Sequence, residues 1–393
     1  MKNILAFIFI LGIGMTVSNP VSAQAPGSLD PQYANAGELS DPAIFPYRFS
    51  SLALAPADEA VISSATGDSI QAIRFTYNGN RDILFGTDNS GITRISAPGF
   101  SGTVCASAVQ TDRKTLIGGQ YALTGNNKKA YLLRLRVDGS IDSSFGTNGW
   151  VFFNFLPHYG ESIHQVALQS DGKIVVTDMG NNPGTTDSLL IARINTNGTF
   201  DTSFATGGIY QIPFNHFLST STNVFSLDDA NNITFAGYSN YLSSDYIYLL
   251  QLNKNGTLNG AYGNGGYTLI DSTNIINGGA NLGICFQHDG KLLTVQSRQT
   301  GSILWAVCRY NADGSIDQNF GNNGMVNVLP NLDPVPFAVQ NIAVTGTGQI
   351  IVAGIVTEAG SNRLMIVSLN PDGTTNLSFG NNQGSELLNC LTR

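Results

Sequence analysis

The stretch Asp138–Gly149, DGSIDSSFGTNG, decides the fold. Alone it has the alternating acidic and hydroxyl side chains of a calcium loop. It is equally dense in Gly, Asp, Ser and Asn, the residues of tight turns. Its copies separate the two readings. PGSLDPQYANAG begins at Pro26, NGNRDILFGTDNSG at Asn78, NGTFDTSFATGG at Asn197 and NGTLNGAYGNGG at Asn255. DGSIDQNFGNNG begins at Asp313 and DGTTNLSFGNNQG at Asp372. The signature glycines are Gly27, Gly79, Gly139, Gly198, Gly256, Gly314 and Gly373, spaced by 52, 60, 59, 58, 58 and 59 residues. Six positions after each stands an aromatic: Tyr33, Phe85, Phe145, Phe204, Tyr262, Phe320 and Phe379. Such a period marks a repeat architecture.

Between signatures the units share one pattern. HQVALQSDGKIVVTDM, from His164, is two β-rich runs joined by Asp-Gly, a strong hairpin signal. SLLIARIN follows as a third run, and a fourth, such as Trp150–Phe155, comes after each signature. Four strands per unit and no helical segment between units predict an all-β, six-bladed β-propeller of four-stranded antiparallel blades. A β-solenoid is the alternative, but its coils are shorter and lack hairpin dipeptides. Six strand triplets are present against seven signatures. The extra copies at the two ends predict N- and C-terminal strands that close the ring.

The first residues read as an export signal. Lys2 precedes the apolar run Ile4–Val17, and Val21-Ser22-Ala23 offers a peptidase site after Ala23. Residues 1–23 are therefore expected to be a signal peptide, and 24–393 a single propeller domain with units starting near 27, 79, 139, 198, 256, 314 and 373. No later segment has the length and apolarity of a membrane span. The expected location is the periplasm or the cell exterior, and the expected state a monomer. The formal net charge of -8 leaves no basic stripe for nucleic acid. The four cysteines, Cys105, Cys285, Cys308 and Cys390, match no CxxC spacing, and three pairings are open.

The signatures resemble those of the delta-60 repeat family of bacterial exported proteins, whose hallmark is a DGSLDxxFGxxG-like segment before a β-rich unit. The units are also similar to the NHL propeller repeat. The resemblance covers nearly the whole chain after the signal, and is weaker at Asn78, where Arg81 replaces an apolar residue, and at Pro26. It implies a propeller, and it implies neither an activity nor catalytic residues.

Two positions in each unit vary together. Arg74, Arg134, Arg193 and Arg309 stand five residues before the signature glycine, and Asp82, Asp142, Asp201 and Asp317 three residues after it. The two other complete units carry Gln251 with Asn259 and Ser368 with Asn376. Charge is kept or lost at both positions at once, which predicts four structural ion pairs. A carboxylate held by arginine is a poor calcium ligand, so no metal is assigned to the loops.

In a propeller the signatures and the Asp-Gly turns share one face. The outer-to-inner connections gather on the other, and there the copies disagree in sequence, as binding loops on a scaffold do. These connections supply the candidate ligand-binding residues Tyr47, Phe100, His158, Tyr159, His216, Phe217, Asp271 and Asp333. His158 and His216 occupy nearly corresponding positions in adjacent units, His164 lies at a loop edge, and His288 beside an Asp-Gly turn is expected to be solvated. No GxSxG, HExxH or P-loop is present. The sequence therefore predicts a binding scaffold for a protein, peptide or glycan, with no cofactor. The alternatives are a metal-assisted lyase or hydrolase using His158, His216 and an acidic neighbour, and a purely structural repeat protein.

Overall fold

The computed structural model describes residues 51–55, 59–66, 69–86, 88–96, 102–122, 128–154, 161–180, 188–212, 224–241, 244–271, 282–300, 302–328, 335–358, 361–380 and 384–388. Blade one holds β1 (Ser51–Ala55), β2 (Glu59–Thr66), β3 (Ser69–Phe75) and β4 (Ile92–Ser96). Blade two holds β5 (Gly102–Val109), β6 (Thr115–Ala122), β7 (Lys128–Leu135) and β8 (Trp150–Phe152). Blade three holds β9 (Ile163–Leu168), β10 (Ile174–Gly180), β11 (Ser188–Ile194) and β12 (Ile209–Gln211). Blade four holds β13 (Val224–Leu227), β14 (Ile233–Tyr241), β15 (Ser244–Leu252) and β16 (Tyr267–Asp271). Blade five holds β17 (Leu282–Phe286), β18 (Leu292–Thr300), β19 (Ser302–Tyr310) and β20 (Met325–Val328). Blade six holds β21 (Val335–Val344), β22 (Ile350–Glu358), β23 (Ser361–Leu369) and β24 (Ser385–Leu388).

Each blade is an antiparallel meander whose strands pair in chain order, and the six form the ring of a six-bladed β-propeller. The C-terminal copy supplies β24, which pairs with β23 and completes blade six. The N-terminal copy, Tyr33 and the signal segment lie outside the described residues.

The strand sequences follow from burial on both sheet faces. In β10, Ile174 and Val176 join a core shared with blade two, while Val175 between them joins a core shared with blade four. In β7, Ala130 and Leu132 face blade three, and Tyr131, Leu133 and Leu135 face blade one. Alternation within a strand therefore separates two apolar interfaces, and the sequence reads as a continuous apolar run. The hairpins between the first and second strands turn through left-handed residues, Arg113, Gly172, Asn231, Gly290 and Gly348.

Antiparallel order fixes which connections share a face. First-to-second hairpins and signatures lie at one end of the blades. The strand ends that lead into second-to-third turns and blade-to-blade connections lie at the other.

Candidate functional site

The signature end is a chain of interlocked turns. Gly198 has φ +90°, and a Cβ there would lie 2.4 Å from the Gly146 amide of the preceding blade. Gly256 would similarly meet the Ala205 amide at 2.7 Å and the Phe204 ring at 2.8 Å. Each of these glycines sits on the buried signature aromatic of the blade before it, and only glycine allows that approach. The residue after the aromatic donates its N–H forward: Gly146 to Asn197 O at 2.8 Å and Ala205 to Asn255 O at 2.9 Å.

Arginine binds the same junctions. Arg74, Arg134, Arg193 and Arg309 donate from Nε to Asp82, Asp142, Asp201 and Asp317 at 2.7, 2.9, 2.7 and 2.8 Å. Their Nη1 atoms donate to carbonyls of the next blade, namely Val137, Thr196, Lys254 and Pro371. Each guanidinium lies 4.3–4.7 Å from the centroid of its own signature ring, Phe85, Phe145, Phe204 or Phe320. In blade four the neutral pair remains bonded, Asn259 Nδ2 to Gln251 Oε1 at 2.6 Å, and in blade six Asn376 donates to Ser368 at 3.0 Å.

The rest of the alternating pattern is used locally. Asp138 Oδ1 accepts from the Ser140 amide and hydroxyl at 2.9 and 2.6 Å, an Asx turn. Asp142 Oδ1 accepts similarly from Ser144. Burial raises the Asp142 pKa, but the Ser144 hydrogen bonds and the Arg134 and Lys114 charges outweigh it and bring it to about 2. Asp201 is lowered by the same balance, with Lys173 and Ser203 as the strongest opponents of burial. Lys114, Lys173 and Lys291 approach Asp142, Asp201 and Asp317 at 3.5, 2.8 and 2.9 Å, joining hairpin to signature.

The candidate ligand-binding residues were expected at the opposite end. Tyr47, Phe100, His158, Tyr159, His216, Phe217 and Asp333 lie outside the described residues. Asp271 ends β16, with its backbone opposite Tyr246. His164 is exposed on β9. His288 is exposed yet its Nε2 lies 3.0 Å from Thr345 O, so it links the hairpin of blade five to blade six. Among the described residues no cluster of three or more His, Cys, Asp or Glu could hold a metal. Cys105, Cys285 and Cys308 are free thiols, and Cys390 lies outside the described residues.

Two groups at this end escaped the sequence reading. Asp178, fully buried at the end of β10, accepts the Ser162 amide at 2.6 Å. Glu161, also buried, lies 3.5 Å from Lys129 Nζ, which donates to Asn154 Oδ1 at 2.6 Å. Beside them stands an aromatic cluster. The Trp150 and Phe152 rings stack with centroids 5.7 Å apart and planes 5° apart. Tyr121 meets Phe152 edge-on at 5.1 Å, and Phe152 is 50% exposed. The signal for Asp178 was present in IVVTDM, a carboxylate inside an apolar run. Trp150 and Phe152 stood in the sequence only as part of a fourth strand run, Trp150–Phe155.

A family model described as "Domain of unknown function (DUF5122) beta-propeller" matches residues 110–145, 169–204, 287–320 and 346–379. Each span runs from about the first hairpin to a signature aromatic. No curated protein matches. Among solved structures, the PQQ-bound aldose sugar dehydrogenase of Streptomyces coelicolor is 11% identical, with 81% of this chain and 93% of that one covered and a TM-score of 0.44. Virginiamycin B lyase from Staphylococcus aureus is 14% identical, with coverages of 88% and 85% and a TM-score of 0.44. A gluconolactonase from Xanthomonas campestris is 13% identical, with coverages of 78% and 83% and a TM-score of 0.40. The family match and the six-bladed ring together support a β-propeller repeat family for this chain.

Proposed function

We propose that this protein is an exported binding scaffold that takes a protein, peptide or glycan on the face opposite its signatures. The carrying observation is the division of labour between the two ends. At four junctions of the signature end the same atoms make the same bonds between blades, so those side chains are committed to architecture. The blade-to-blade connections at the other end share no sequence, and the described residues below them include Tyr121, Phe152, Asn154 and Glu161. Variable loops on an invariant frame are a recognition surface. The Lys2–Ala23 segment supports export, and the seven signatures support the delta-60 reading of the 24–393 domain.

The test is glycan and peptide array binding by the purified protein and two variants. In one, residues 155–160 and 213–220 become Gly-Ser chains of equal length. In the other, Ser143 and Gln318 at the signature end become alanine. Binding is expected to vanish in the first with Tm unchanged, and to persist in the second. Equal binding by all three proteins, or no binding to either array, overturns the reading.

A further inference from the structure

A single exposed phenylalanine is ordinary on a protein surface. The Phe152 environment is more than that. Its ring is stacked with Trp150 and makes a T-shaped contact with Tyr121. Trp150 and Tyr121 are themselves only partly buried. Tyr121, Phe152 and the exposed Asn154 all lie at the ends of β6 and β8 that lead to the variable face. The polar groups converge there too, with Lys129 Nζ between Asn154 Oδ1 and Glu161 Oε2. Glu161 is close enough to Tyr121 that, after burial, its charge raises the phenol pKa, so the hydroxyl remains a neutral donor and acceptor.

The arrangement belongs to blade two. The outer-strand positions matching Phe152 are Arg94, Gln211, Leu269, Asn327 and Leu387. Propeller packing therefore does not require an aromatic there.

We infer that Phe152, stacked on Trp150 and flanked by Tyr121, Lys129, Asn154 and Glu161, is a stacking subsite for a pyranose ring of a neutral or acidic glycan. The inference rests on the scaffold reading above and narrows its ligand. Phe152 is 50% exposed, and the negative quadrupole of an aromatic face suits the positively polarised C–H face of a sugar. Sugar hydroxyls need donors and acceptors together, and the Asn154 amide, Lys129 ammonium and Tyr121 hydroxyl provide both. A cationic ligand could also use the rings, and binding of an amine or basic peptide in place of a sugar overturns the subsite.

The test is titration calorimetry of the purified protein against neutral and uronic-acid oligosaccharides, with Phe152→Ala, Phe152→Trp and the loop-replaced protein in parallel. The unaltered protein is expected to bind at least one sugar. Phe152→Ala should weaken that binding about tenfold or more, and Phe152→Trp should keep it. Phe152 is half exposed, so Phe152→Ala should lower Tm by only a few degrees, and a single cooperative unfolding transition identifies both variants as folded. Glycan binding lost in the loop-replaced protein but retained by Phe152→Ala overturns the subsite and leaves the scaffold reading intact. Binding confined to peptides also overturns the subsite alone. Binding retained by Phe152→Ala and by the loop-replaced protein overturns both readings.

Discussion

Asp201→Asn tests whether the repeated ion pair holds the blades together as a unit. Asp201 receives four hydrogen bonds: Arg193 Nε at 2.7 Å, Lys173 Nζ at 2.8 Å, and the Ser203 amide and hydroxyl at 3.1 and 2.6 Å. An asparagine oxygen keeps the two Ser203 bonds and loses the charge. Lys173 is 29% exposed and can turn to water, whereas Arg193 is 7% exposed and cannot. The cost is therefore the stranding of one buried guanidinium, about 3 kcal/mol, at the lower end of the range for breaking a buried pair. Arg193→Gln should cost a similar ~3 kcal/mol, because it leaves Asp201 only the partly exposed Lys173 as a counter-charge and removes the bond to Lys254 O and the contact with Phe204.

The double variant recreates the chemistry of blade four, where Gln251 and Asn259 bond neutrally. No buried charge is left uncompensated. It should cost about 3 kcal/mol instead of about 6, giving a coupling energy near 3 kcal/mol. Urea unfolding of the four proteins, followed by tryptophan fluorescence and far-ultraviolet circular dichroism, measures the cycle. Costs that add to within about 0.5 kcal/mol would refute the reasoning, because independent residues add and paired ones do not.

Stability should fall steeply at low pH. The folded Asp142 pKa is about 2 against an ordinary 3.8, so its contribution is fully present above pH 4 and is lost as pH falls through 2. The difference corresponds to about 2 kcal/mol, and Asp142→Asn should flatten that limb of an acid titration followed by Tm. Gly198→Ala should destabilise the junction of blades two and three by at least about 2 kcal/mol, through its positive φ and its contact with the Gly146 amide; an unchanged urea midpoint would contradict the interlock. Gly354→Ala would put a Cβ 2.5 Å from the buried Trp305 ring, so the loss of stability should come with a changed near-ultraviolet signal. A normal near-ultraviolet spectrum at full stability would show that the indole does not depend on that gap.

Much of the signature end was legible because its contacts repeat. Arg134 and Asp142 are eight residues apart, and the same spacing recurs with charge kept or lost at both ends, so the sequence reports a contact as a correlation. The lysines were legible in principle by the same logic. Lys114, Lys173 and Lys291 precede the second strand where the signature has Asp142, Asp201 and Asp317, and Asn232 and Gln349 stand there where it has Asn259 and Asn376. Blade one breaks the rule with Glu59, and the structure shows why, since Glu59 pairs with Arg113 of the next blade at 2.6 Å. Nothing comparable exposes the cluster of blade two. Tyr121, Trp150 and Phe152 occur once, on different strands, in runs that read equally well as core. Their meeting depends on a register, Tyr131 opposite Phe152 and Lys129 opposite Tyr121, that a single copy cannot reveal.

The two ends of the ring explain each other energetically. Four junctions carry an arginine that binds its own blade's acid and the next blade's carbonyl, and each such charge-assisted bond contributes about 1.5–3 kcal/mol. Blade four lacks that arginine, and its Gln251 bonds instead to Thr234 within the blade. The junction to blade five is still held by the Gly263 amide on Asp313 O and by Tyr262 beneath Gly314. Backbone and aromatic therefore suffice to form a junction, and the arginine adds stability to it. These bonds all lie away from the strand ends that lead into the blade-to-blade connections. A substitution in those connections leaves the junction bonds unchanged, so their sequences can differ without loss of the ring. The half-exposed Phe152 fits that freedom, because it stands at the edge of the variable face and no junction bond depends on it.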